Sequence, residues 1–233
     1  MITRHIPNFL TCCNLLCGCI GIVFVLRGSE YITYAAYFVW IACVFDFFDG
    51  FAARMLKVSS PIGKELDSLA DMVSFGLLPA TVMYGMLADL PIPTYLPYLA
   101  FSIAIFSALR LAIFNIDETQ SDSFRGLPTP ANALFITSLP LIGGTLAFAF
   151  FDPWILSAVV IISSYLLVSG IPLFALKFKN FSWNDNKIRF TFLLICVLLP
   201  LTFLILRIQV VLALPLIILL YIVLSLGVRA VSK

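Results

Sequence analysis

Apolar runs of bilayer length follow one another along this chain with only short polar interruptions. A helix needs roughly 17 to 25 such residues to cross the hydrocarbon core of a membrane, so repeated runs of that length predict a polytopic helical bundle. Of the 233 residues, 62% are hydrophobic and 11% are charged, and the mean hydropathy is +1.09. A soluble domain needs far more polar residues to wet its exterior. Marking the runs and their breaks gives about eight spans, near 8 to 27, 31 to 54, 66 to 88, 94 to 116, 131 to 149, 153 to 176, 188 to 206 and 209 to 230. The breaks carry helix-ending chemistry: the polar stretch from Met55 to Glu65, Pro91 and Pro93, Asp117 to Pro130, and Asp152 with Pro153. The expectation is an all-α fold in a single membrane domain, residues 1–233.

The charges orient the bundle. If eight spans alternate from a cytoplasmic N-terminus, 12 of the 14 Lys and Arg fall on the cytoplasmic side and only Arg27 and Arg207 fall outside. The positive-inside rule then predicts both termini in the cytoplasm. The formal charge of +2 and the absence of a basic run argue against a nucleic-acid partner. Cys12, Cys13, Cys17 and Cys19 crowd the first run, but the only His is His5, so these read as small packing residues rather than a zinc site. The first run contains Thr11 and Asn14 and lacks a small-residue cleavage site, which predicts a retained span rather than a removable signal. No inverted repeat of the transporter kind is evident.

Four acids break the apolar pattern. Asp46 and Asp49 stand three apart near the cytoplasmic end of the second span, and Asp67 and Asp71 four apart at the start of the third. Both spacings place each pair on one helix face, and an antiparallel hairpin brings the two pairs to similar depth. Ionisable groups inside a membrane cost on the order of 3 kcal/mol each, more than Arg54 alone can offset, so a bound cation is expected. All-oxygen donors favour hard ions, and paired carboxylates near a phosphate-bearing substrate suit a two-metal clamp of Mg²⁺ or Mn²⁺. Gly50 and Gly63 leave room for a ligand or a neighbouring backbone to approach. A cation transporter is the rival of another class, but transport sites sit near mid-membrane rather than at one mouth. Prenyltransferases also bind Mg²⁺ and diphosphate, with acidic motifs more widely separated than these.

Asp46, Asp49, Gly50, Ala53, Arg54, Gly63, Asp67 and Asp71 together reproduce the signature of the CDP-alcohol phosphatidyltransferase family, which this chain resembles. The segments Ile6 to Thr11 with Asn14, Leu15 and Gly18, Asp67 to Gly76, Leu109 to Asn115 and Phe124 to Ala131 look most like its phosphatidylserine synthase branch. One departure is Ile113, where many relatives carry an arginine.

The resemblance implies transfer of a phosphatidyl group from CDP-diacylglycerol to L-serine, with release of CMP, at the cytoplasmic face of the cell (inner) membrane. It implies a family core over about residues 6–176, followed by additional spans over about 188–230. It implies that Asp46, Asp49, Asp67 and Asp71 hold two metal ions, that Asp71 is also the catalytic base, and that Gly50, Ala53, Arg54, Ser60, Gly63, Asn8 and Thr11 contact the CDP-lipid. A homodimer follows from the same resemblance. Serine carries a carboxylate and an ammonium, so its pocket needs a cation near the metals; Arg110 and Arg125, with Asn115, are the candidates. Glycerol 3-phosphate or inositol are the rival acceptors, the anionic ones requiring extra cations.

Overall fold

Where the chain turns polar after Met55, helix signals reappear sooner than the apolar pattern suggests. Ser60 is extended and its side chain accepts the Gly63 N–H at 3.0 Å, while Pro61 occupies the first helical position. Together they start a helix at 61 rather than 66, so half of the apparent break is already helical.

The computed structural model describes residues 5–58, 60–117, 123–143, 151–174 and 182–231. In chain order the helices are α1 (Ile6–Arg27), α2 (Ile32–Met55), α3 (Pro61–Asp71), α4 (Leu78–Ala88), α5 (Phe101–Ile116), α6 (Thr129–Ser138), α7 (Pro153–Val168), α8 (Trp183–Ile205) and α9 (Ala213–Val231). A π-helical turn, Met72–Leu77, joins α3 to α4 in one continuous span. The helical architecture holds, and six helices among the described residues are long and apolar enough to cross a membrane. The expected fifth and sixth spans differ. α6 has 10 residues and tightens into a 3₁₀ turn at Leu139–Leu141 around Pro140, and residues 144–149 of the expected run lie outside the described residues. α7 stops at Val168, and Gly170 and Pro172 follow instead of a helix continuing to 176. The chain there forms β2 (Pro172–Phe174), antiparallel to β1 (Ser123–Arg125), a small ribbon that the all-α expectation lacked.

The core lies between α1, α2, α4, α5, α6 and α7 and includes Val39, Phe75, Leu78, Met83, Ile103, Ile136 and Val160. A smaller cluster of Leu127, Leu173, Phe192, Ile218 and Tyr221 seats the last two helices on the ribbon. α8 leaves Leu194, Val197, Leu201, Leu204 and Ile205 exposed, a face suited to lipid rather than to water. α1 also packs closely against the π turn. A Cβ at Gly18 would stand 3.0 Å from the Ser74 Cα, and one at Gly21 would strike the Leu78 side chain, so small residues set this approach.

Candidate active site

α2 and α3 meet at one end of the bundle with their acidic faces opposed. One carboxylate oxygen from each of Asp46, Asp49 and Asp67 lies within 4.8 Å of the others. Opposite ligands on an ion with bonds of about 2.1 Å are about 4.2 Å apart, so this group encloses one divalent ion with little movement. Asp67 Oδ1 is buried and has no hydrogen-bond partner among the described residues, an orphan acceptor of the kind that a cation satisfies. Asp49 is aligned by α1: its Oδ2 accepts the Thr11 hydroxyl at 2.7 Å. The donor set therefore fits a hard divalent metal.

Asp71, one turn along α3, stands outside that group of three and is buried. Its Oδ1 accepts the Asn14 amide at 3.1 Å. The sequence pattern marked Asn14 within α1 but gave it no role; an uncharged amide in an apolar helix was the available signal. Ser74, which bonds the same amide, carried no such signal.

A cleft of about 560 Å³ opens beside the carboxylates. It gathers Asn8, Thr11, Asp49, Gly50, Ala53, Ser60, Gly63 and Asp67, residues that the sequence pattern proposed for metal or nucleotide-lipid contact. Its wall also includes Lys57 and Lys64, which the sequence pattern treated only as topology charges. Lys57 has a φ of 52° where α2 ends, the left-handed conformation that reverses the chain toward Ser60. Lys64 donates from Nζ to the Asn115 carbonyl at 2.9 Å. The exposed Arg54 guanidinium reaches over Gly50, where a Cβ would stand 3.6 Å from Nη1. A Cβ at Gly63 would crowd Ser60 Oγ at 3.0 Å and Asn8 Oδ1 at 3.1 Å, so the bare backbone there keeps three elements together.

Of the three candidate acceptor residues, Arg110 and Arg125 line one cavity and Asn115 stands apart from it. Asn115 is tied to α3, its Nδ2 donating to Ser68 Oγ at 2.8 Å. Arg110 is buried, donates from Nη1 to Thr129 Oγ1 at 2.8 Å, and lies 5.8 Å from the centre of the Phe114 ring. Its Nε is buried with no partner among the described residues. Arg110 and Arg125 share a second cavity of about 220 Å³, with Asp117 and Ser169 also on its wall. Ser107 on α5 and Asn132 on α6 are fully buried with unpaired polar atoms; the sequence pattern passed over both.

The profile of the CDP-alcohol phosphatidyltransferase family matches residues 4–165. A protein of Bacillus subtilis named CDP-diacylglycerol–serine O-phosphatidyltransferase is 35% identical over 179 residues, 76% of this chain and 92% of the relative. A Helicobacter pylori protein of the same name is 31% identical over 211 residues, 84% of this chain and 81% of the relative. One from Mycobacterium tuberculosis is 34% identical over 179 residues, 72% of this chain and 60% of that longer relative.

Proposed function

The chain belongs to the CDP-alcohol phosphatidyltransferase family, and from that premise we propose that it transfers a phosphatidyl group from CDP-diacylglycerol to L-serine, giving phosphatidylserine and CMP. The observation that carries this reading is the joining of the three-carboxylate group to one cleft lined by Asn8, Gly50, Ala53, Ser60 and Gly63. Relatives that match most of the chain carry the name of this activity.

In this reading Asp46, Asp49, Asp67 and Asp71 would hold two ions of Mg²⁺ or Mn²⁺. When bound, the metal neutralises phosphoryl charge and stabilises the departing CMP. The protein supplies the rest. Arg54 adds a guanidinium able to grip phosphate bidentately, and the small residues at 50, 53 and 63 let the nucleotide approach the backbone. The serine hydroxyl attacks the phosphorus that bears the diacylglycerol; its proton passes to Asp71 as the new oxygen–phosphorus bond forms and the bond to CMP breaks. Arg110 pairs with the serine carboxylate, a role its unpartnered Nε supports. Arg125, exposed, also lines this cavity.

The lysine and arginine asymmetry supports an active site at the cytoplasmic face of the inner membrane, where serine and CMP are soluble. A homodimer is the assembly proposed. The decisive experiment is to incubate the purified protein with CDP-diacylglycerol and each alcohol in turn. CMP release that requires serine is expected; release that requires glycerol 3-phosphate and ignores serine overturns the assignment.

A further inference from the structure

Asn14 is fully buried near the middle of α1. An amide there is costly unless both its ends are paired. Both are paired, and to one short stretch of the neighbouring span: Nδ2 donates to Asp71 Oδ1 at 3.1 Å, and Oδ1 accepts the Ser74 hydroxyl at 2.5 Å. The Ser74 oxygen also lies 2.6 Å from the Ala70 carbonyl, so its single proton is shared between two acceptors. The opposite amide orientation would set the Asn14 carbonyl against the Asp71 carboxylate, oxygen to oxygen. The pair Ser74 and Asn14 therefore presents an N–H, and not a carbonyl, to Asp71.

The backbone is built to hold this contact. Asn14 and Gly18 are four apart and share one face of α1. A Cβ at Gly18 would stand 3.0 Å from Ser74 Cα and 3.1 Å from Ser74 N, main-chain atoms that cannot step aside. The π turn begins at the residue after Asp71 and contains Ser74. π turns inside α-helices recur at functional sites.

We propose that Asn14 is a positioning residue for the transfer reaction. With Ser74 behind it, it holds Asp71 by Oδ1 and so fixes the carboxylate beside Asp46, the orientation from which Asp71 takes the proton of the reacting hydroxyl. This rests on the reading of Asp71 as the base.

The test uses the full chain in detergent with CDP-diacylglycerol and serine. Asn14→Leu keeps the size of the side chain and removes the donor; Asn14→Ser packs worse and keeps a hydroxyl donor. For Asn14→Leu, kcat falls about 10- to 100-fold while both KM values stay within about threefold of wild type, and the loss of turnover persists at saturating Mn²⁺. Asn14→Ser retains more turnover than Asn14→Leu despite its poorer packing. Leucine outperforming serine, an unchanged kcat in Asn14→Leu, or a loss that saturating Mn²⁺ fully restores overturns the proposal. An inactive Asp71→Asn beside a fully active Asn14→Leu sinks this inference alone, whereas an active Asp71→Asn removes the reading beneath it.

Discussion

Neutralising Asp67 tests the metal site through stability rather than turnover. Its carboxylate lies within 4.8 Å of those of both Asp46 and Asp49. Two ionised carboxylates at that distance repel by about 3.5 kcal/mol at an effective dielectric of about 20, so Asp67 carries about 7 kcal/mol of repulsion in the metal-free protein. The cleft is open to water, and screening leaves on the order of 2 kcal/mol as net gain when Asp67 becomes Asn. For a chain of this length each kcal/mol moves the melting temperature by about 2 to 4 °C, so Asp67→Asn in EDTA is expected to melt roughly 4 to 8 °C above wild type. Added Mn²⁺ reverses the order. At a hundredfold excess over its Kd it stabilises wild type by about 2.7 kcal/mol, and the variant, short of one ligand, responds little. Thermal unfolding followed by intrinsic tryptophan fluorescence in detergent, with and without metal, reads both effects. Asp67→Asn melting at or below wild type in EDTA, with its Mn²⁺ response intact, would refute the placement of a cation among these three acids.

Three further outcomes follow from the same geometry. Asp71→Asn retains CDP-diacylglycerol binding and loses turnover by about 10²-fold or more, as measured by CMP release, because it removes the proposed proton acceptor. Arg110→Gln raises the KM for serine about tenfold or more and leaves the KM for CDP-diacylglycerol near wild type, since in the proposed reading the lost group is the buried charge that pairs with the acceptor. Gly126→Ala destabilises the ribbon by about 2 kcal/mol or more in thermal unfolding: its φ of +77° and a Cβ driven into the Leu167 carbonyl leave an alanine no relaxed position.

The acidic hairpin was readable because its code is local: spacings of three and four residues fix a helix face whatever the helix packs against. Of the cleft residues, Gly50, Ala53, Ser60 and Gly63 lie near those acids in the chain, whereas Asn8 and Thr11 come from α1; as CDP-lipid contacts all of them were legible only through the family resemblance. What escaped depends on neighbours distant in sequence. Asn14 meets Asp71 across 57 positions and Ser74 across 60, and nothing local distinguishes a paired amide from a packing one. The lysines of the cleft were hidden by their usual role as markers of membrane orientation. The extension of the sixth span to 176 failed because hydropathy ranks Ile171, Leu173 and Phe174 alike for helix and strand, while pairing with residues 123–125 decides between them. The fifth span shortened where Pro140 draws the helix into a tighter turn.

The π turn at Met72–Leu77 sets the rotational phase of a whole span. A π turn accommodates about one residue more than the α-helical turn it replaces, and each residue of an α-helix is worth about 100° of rotation. The acids of α3 and the core-facing Leu78 and Met83 of α4 therefore point where they do only because that extra residue is present. Deleting a single residue from the turn would shorten the span by little more than an ångström yet swing the carboxylates about a quarter-turn out of alignment with α2. A change of length too small for the bilayer to register would be enough to dismantle the site.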